Sequence, residues 1–167
     1  MAGEKPLEQS SRDRARTRSV ARLAAVQALY QMDVAQTDLN DVIEEFVAHR
    51  FCPETGKTAY PDADQEFFTD VLRGVVGRQR EIDPLIDENL ATDWRLHRID
   101  AILRAILRSG VLELVARTDI PARVVINEYI NVAHAFFDGD EPRVVNGVLD
   151  GLAKRLRAGE FKDPDGG

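Results

Sequence analysis

Cysteine is nearly absent from this 167-residue chain: Cys52 is the single one. One thiol cannot close an internal disulfide or build a zinc cluster, so a reducing, cytoplasmic setting is the simplest expectation. Long apolar runs are also missing. None approaches the roughly 18 to 20 residues that would cross a bilayer, which argues against a transmembrane protein. Met1 to Ser11 is polar and has no apolar core, so no secretory signal is expected there. No segment alternates polar and apolar residues over strand length between turn signals, which removes the usual mark of a half-buried strand.

The catalytic and cofactor motifs are missing as well. Gly56-Lys-Thr58 is not a phosphate-binding loop, because that motif needs a glycine where Phe51 stands and a hydrophobic strand before it. His49, His97 and His134 lie far apart and lack metal-ligand spacing, so no metal is expected. No serine sits in a nucleophile-elbow motif, and Cys52 has no partner base that the pattern identifies. The chain therefore reads as a protein without enzymatic activity and without a cofactor.

What is present is helix-forming sequence with asymmetric charge. Apolar residues make up 44% and charged residues 31%, as expected of a globular protein. The net charge is −7, but residues 12–22 hold five arginines and one aspartate, a local +4 that leaves −11 on the remainder. A basic arm on an acidic body calls for an explanation. Arg14, Arg18 and Arg22 lie four apart and form one stripe on a helix. Such a stripe suits RNA, because guanidinium groups bind phosphate bidentately and stack on bases. The plainer alternatives are a solvated terminus, or arginines paired with carboxylates of the body. An amphipathic membrane helix fits poorly, since bulky apolar residues begin only at Val20.

Helical periodicity runs through the chain. Arg12 to about Gln36 contains neither glycine nor proline, and its apolar residues nearly encircle the helix, which places it at the centre of the fold. Helices are predicted over about 39–51 and 64–81. Asp83-Pro84 predicts a short one to about Leu90, with Pro84 at the first helical position. Thr92 or Asp93 could cap the next, to about Arg117, within which Gly110 marks close helix approach. Pro121 and Pro142 open the last two, ending near Phe137 and Arg157. Asp62 and Asp64 read as caps at a helix start. Trp94 reads as packing between lobes, and core packing is the default for Tyr30.

The fold expected is all-α, six or seven helices in two small three-helix-type bundles. The expected organisation is a disordered lead-in over 1–11, a helical domain over 12–157 with lobes of about 12–81 and 82–157, and a frayed tail over 158–167. The segment Cys52 to Ala63 reads as a loop.

Several motifs together resemble the transcription antitermination factor NusB family. They are Arg18-Ser-Val-Ala-Arg22 followed by Ala25-Val-Gln-Ala-Leu-Tyr30, Arg104-Ala-Ile-Leu-Arg108 with Glu113-Leu114, Asp119-Ile-Pro121 with Ile126-Asn-Glu128, and Val145-Asn-Gly-Val-Leu149. Order and spacing agree over about residues 14–157. The resemblance implies a non-enzymatic adaptor that binds boxA-type single-stranded RNA together with NusE, a small-subunit ribosomal protein. It implies assembly into an antitermination complex on RNA polymerase, chiefly on ribosomal RNA operons. Carried over by position, it implies RNA contacts at Arg18, Arg22, Tyr30, Phe136 and Arg143, with Arg14 added on charge alone. It implies partner contacts at Tyr30 and Asp140. Both monomers and homodimers occur in the family, and a dimer could hide the arginine face.

The chain departs from the family pattern at Val144, where phenylalanine is usual, at Leu103, where an acidic residue is common, and at Phe137, which replaces a glycine. The alternative function is a helical protein-interaction module whose arginine arm docks an acidic protein. An RNA-modifying enzyme is disfavoured, because the chain has no glycine-rich cofactor loop and no catalytic cysteine motif.

Overall fold

The computed structural model describes residues 6–51, 60 and 62–162. Among them are six α-helices, one π-helical turn and one 3-10 turn, with no strand. Cys52, the Gly56-Lys-Thr58 segment and most of the Cys52 to Ala63 loop lie outside the described residues.

Helix α1, Pro6–Ala35, starts earlier than the expected Arg12 and takes in the second half of the expected lead-in. Proline at a first helical position sacrifices no hydrogen bond, which makes Pro6 a natural start. Ala21, Ala24, Ala25 and Ala28 are fully buried, so neighbouring helices approach α1 closely. The helix stops at Gln36, whose φ of 55° is left-handed and whose side-chain amide donates to the Asp33 carbonyl at 2.9 Å. Helix α2, Leu39–Glu45, is capped by Asp38 and runs on as a π-helical turn, Phe46–Arg50. The two together span the predicted second helix.

Helix α3, Gln65–Asn89, joins two segments that the sequence pattern separates. Asp64 caps it, its carboxylate accepting from the Phe67 N–H at 3.0 Å. Arg78 leaves helical geometry (φ −115°, ψ 15°), which gives the kink, and Pro84 sits inside the second half. Asp83 is therefore not a helix cap. It accepts two hydrogen bonds of 2.9 Å from Arg108 instead. The stretch after α3 is a series of turns, and the next helix begins at Ala101, capped by Asp100 rather than Thr92 or Asp93.

Helix α4, Ala101–Ala116, is the hub: α1 and α3 pack on it, and so do α5, Ala122–Phe136, and α6, Glu141–Leu156. Gly110 makes that possible. A Cβ there would lie 2.8 Å from the Leu149 side chain, so α4 and α6 meet across a glycine, as the sequence predicts. The described residues after α6, up to Lys162, are held by packing. Arg157 donates to the Glu113, Leu114, Arg117 and Ile120 carbonyls, closing the open C-terminal end of α4. Glu160, in the 3-10 turn Ala158–Phe161, accepts from the Ala122 N–H at 2.9 Å and so caps α5.

Candidate nucleic-acid interface

The arginine stripe does not remain on one surface. Residues four apart on an α-helix drift by about 40° around its axis, so Arg14, Arg18 and Arg22 step from solvent toward the core. Arg22 completes the step and is 2% exposed. Its Nε and Nη2 donate to the two Glu113 carboxylate oxygens at 2.8 and 2.9 Å, and Glu128 lies 3.7 Å away. The Tyr129 hydroxyl donates to the same Glu113 carboxylate, and Ser19 Oγ donates to Glu128 at 2.9 Å. Burial works against the Arg22 charge, but the Glu113 hydrogen bonds and charge outweigh it and raise the pKa above its ordinary value. Burial first, then the Glu113 charge, push the Tyr129 hydroxyl well above its usual value, which keeps it a donor. Arg22 is thus a core ion-pair residue, and the expected RNA contact falls on a guanidinium that the fold buries.

The outer arginines differ. Arg14 is exposed, and nothing among the described residues pairs with its guanidinium. Arg16 is exposed and lies 3.5 Å from Asp62. Arg18 is half-buried, 5.1 Å over the Phe67 ring and 3.9 Å from Asp64, and its buried Nε has no hydrogen-bond partner. Arg117, which the sequence pattern did not single out, stands 5.3 Å over the same ring. It donates to both Asp119 oxygens at 3.0 Å, and these bonds raise its pKa while lowering that of Asp119. With Arg22 at 4.9 Å, three guanidinium groups surround Phe67. Only assembly of α1, the start of α3 and the end of α4 brings them together. Beside them is a cavity of about 130 Å³ lined by Arg18, Arg117, Phe67, Asp64, Glu66 and Asp70. The arginine face is therefore interleaved with carboxylates of α3.

Tyr30 does not belong to that face. It follows Arg18 by twelve residues, a rotation of about 120° around α1. Its ring is 39% exposed and lines a separate cavity of about 420 Å³ with Phe136, Phe46, Ile102, Val34 and Arg50. Phe136, at the end of α5, lines the same cavity as Tyr30. Asp140 and Arg143 follow directly in the chain. Asp140 is exposed at the start of α6, and its side chain makes no capping bond; its backbone carbonyl accepts from the Arg143 N–H at 3.0 Å. Arg143 is exposed. Among the positions that depart from the family pattern, Leu103 is buried, while Val144 and Phe137 pack against the core.

The expected residues therefore fall into two groups: Arg18 over Phe67 with Arg14 one turn before it on α1, and Tyr30 and Phe136 followed in the chain by Asp140 and Arg143. Among the described residues no group of histidines, cysteines and carboxylates could hold a metal ion, and no helix is long and apolar enough to cross a membrane.

Comparison with known proteins gives a consistent picture. The model of the NusB family matches residues 19–154. The chain is 52% identical over 155 residues to the transcription antitermination protein NusB of Nitrobacter hamburgensis, covering 93% of this chain and 97% of that protein. It is 49% identical to the protein of the same name from Rhizobium rhizogenes, over 89% of this chain and 92% of that one. Among solved structures, T. maritima NusB is 32% identical with a TM-score of 0.72, covering 86% and 96% of the two chains. A NusB solved with NusE and double-stranded RNA is 27% identical with a TM-score of 0.68, over 84% and 98%. Arg14 and Arg18 precede the family match.

Proposed function

Since the chain belongs to the NusB family, we propose that it is an RNA-binding transcription antitermination factor that engages boxA-type single-stranded RNA together with NusE. It acts in the cytoplasm on ribosomal RNA operons, as part of an antitermination complex on RNA polymerase. It is an adaptor and catalyses no reaction. The domain divides into lobes of about residues 12–81 and 82–157, joined through the kinked α3.

The observation that carries the proposal is the separation of two surfaces of different chemistry. The first is cationic: Arg18 and Arg117 stand over Phe67, and Arg14 lies exposed one turn before Arg18 on α1, in a chain of net charge −7. Guanidinium groups there bind backbone phosphates of any sequence, which positions the strand without reading it. The Asp62, Asp64 and Asp70 carboxylates among them compete for the same cations and keep that binding weak. The second surface is the cavity of Tyr30 and Phe136. Its aromatic and aliphatic walls suit a protein side chain rather than a phosphate, so it is assigned to NusE, with Asp140 on the same partner side. Arg143 adds a cation beyond it. Selective binding then needs both surfaces, because neither alone combines affinity with selectivity.

The test is fluorescence anisotropy with a boxA-type RNA and a scrambled control, each with and without purified NusE. Tighter binding of the boxA-type RNA when NusE is present is the expected result. Equal weak binding of both RNAs, indifferent to NusE, would overturn the proposal.

A further inference from the structure

The cationic and aromatic surfaces face different directions around α1, and if the function proposed above holds, Arg14 and Arg18 on one side and Arg143 beyond the other are cations for one RNA strand. Helix α5 links them. Midway along, it meets the basic half of α1, where Ser19 and Arg22 hold Glu128. It ends at Phe136 on the wall of the Tyr30 cavity, just before the loop that carries Asp140 and Arg143.

The outer side of α5 carries Asn127, Asn131 and His134, spaced four and three apart and so on one stripe. All three are exposed, and none of their side chains hydrogen-bonds to another described residue. This stripe meets no free carboxylate of its own helix, since Glu128 is the one acid on α5 and is engaged by α1. Other helices differ sharply. Asp41 and Glu44 are exposed on α2, and Glu66, Asp70, Glu81 and Glu88 on α3. In an acidic chain, the outer face of α5 itself thus carries no free carboxylate, with Arg123 near one end and, past the exposed Asp138 and Asp140, Arg143 beyond the other.

We infer that the outer face of α5 is the track of the RNA strand between the two clusters, and that Asn127 and Asn131 read base edges on it. An asparagine amide offers an acceptor and two donors on one rigid plane, the combination that pairs with the edge of an unstacked base. This assignment rests on the RNA-binding reading and extends it to residues that determine specificity.

The deciding experiment compares N127A/N131A, N131D and R14A/R18A with the wild-type chain, using the same two RNAs with NusE present. Alanine is a better helix former than asparagine, and both positions are exposed, so the fold is retained; circular dichroism checks it. N127A/N131A is expected to bind the boxA-type RNA about tenfold or more weakly, following the loss of base contacts. The scrambled control and the salt dependence should stay unchanged. N131D should weaken both RNAs by placing a negative charge on the track. Undiminished boxA preference in N127A/N131A, while R14A/R18A weakens binding, would overturn the α5 track and leave the RNA-binding reading intact. Loss of NusE capture by N127A/N131A in the absence of RNA would overturn it in favour of a protein-docking face. A wild-type chain that does not prefer the boxA-type RNA would overturn both.

Discussion

Replacing Arg22 by alanine separates a core role from an RNA-contact role. In the folded chain Arg22 is 2% exposed and gives Glu113 two charge-assisted hydrogen bonds of 2.8 and 2.9 Å. Removing it leaves the fully buried Glu113 carboxylate with only the Tyr129 hydroxyl as a side-chain donor. Breaking a buried ion pair by deleting one partner costs about 3–5 kcal/mol, mostly from the charge left behind. For a domain of this size each kcal/mol lowers Tm by about 2–4 °C, so a fall of roughly 6–20 °C is expected. Differential scanning calorimetry or thermal circular dichroism measures it directly. RNA affinity, taken well below the new Tm, should stay within about twofold of wild type, because a buried guanidinium contributes no phosphate contact. The double variant R22M/E113L should be more stable than R22A, since it removes both charges and refills the space with apolar atoms. A Tm within a degree or two of wild type, together with a tenfold loss of RNA affinity, would refute this account of Arg22.

Three further outcomes follow from the geometry. R14A/R18A should bind all RNA sequences more weakly and flatten the dependence of log K on log salt by about 1.4, two phosphate contacts at roughly 0.7 each; titrations from 50 to 300 mM salt measure it. An unchanged slope would exclude these arginines as phosphate contacts. Y30A should weaken capture of NusE in a pull-down while sparing RNA-only affinity, because the ring lines the cavity and not the arginine face. Finally, the raised Tyr129 pKa means that the fold favours the protonated hydroxyl. Its stabilising contribution is present below the unfolded value of about 10 and is lost as pH rises through the higher folded value. The stability difference between wild type and Y129F, followed by urea unfolding, should therefore hold at neutral pH and shrink at strongly alkaline pH.

Much of the architecture is local and hence legible. Spacing of apolar residues at helical period marks α1, α2 and α4–α6, and Gly110, inside a strongly apolar helix, signals the close approach that Leu149 confirms. Boundaries are less legible where two signals compete. Asp83-Pro84 looks like a cap and first turn, yet packing of α3 on α4 keeps the helix continuous and turns Asp83 toward Arg108. The same limit applies to the tail, where the carbonyls that Arg157 closes belong to α4 and to the loop after it, about 40 residues upstream.

The candidate site divides along the same line. Charge composition alone marks residues 12–22 as exceptional, and the motif order alone points to the family and to Tyr30, Phe136 and Arg143 as residues to inspect. Which arginine faces solvent is a different kind of question. Arg14 and Arg22 are chemically identical and sit on one stripe, and only the position of Glu113 on a helix 91 residues away makes one a surface cation and the other a core residue. Arg117 joins the arginine face for the corresponding reason, through the Phe67 ring that it shares with Arg18. Periodicity follows from the backbone and is written locally, whereas the partner of a side chain depends on which helix packs beside it. The sequence by itself therefore determined the helices and the concentration of charge, and the tertiary structure decided where that charge can act.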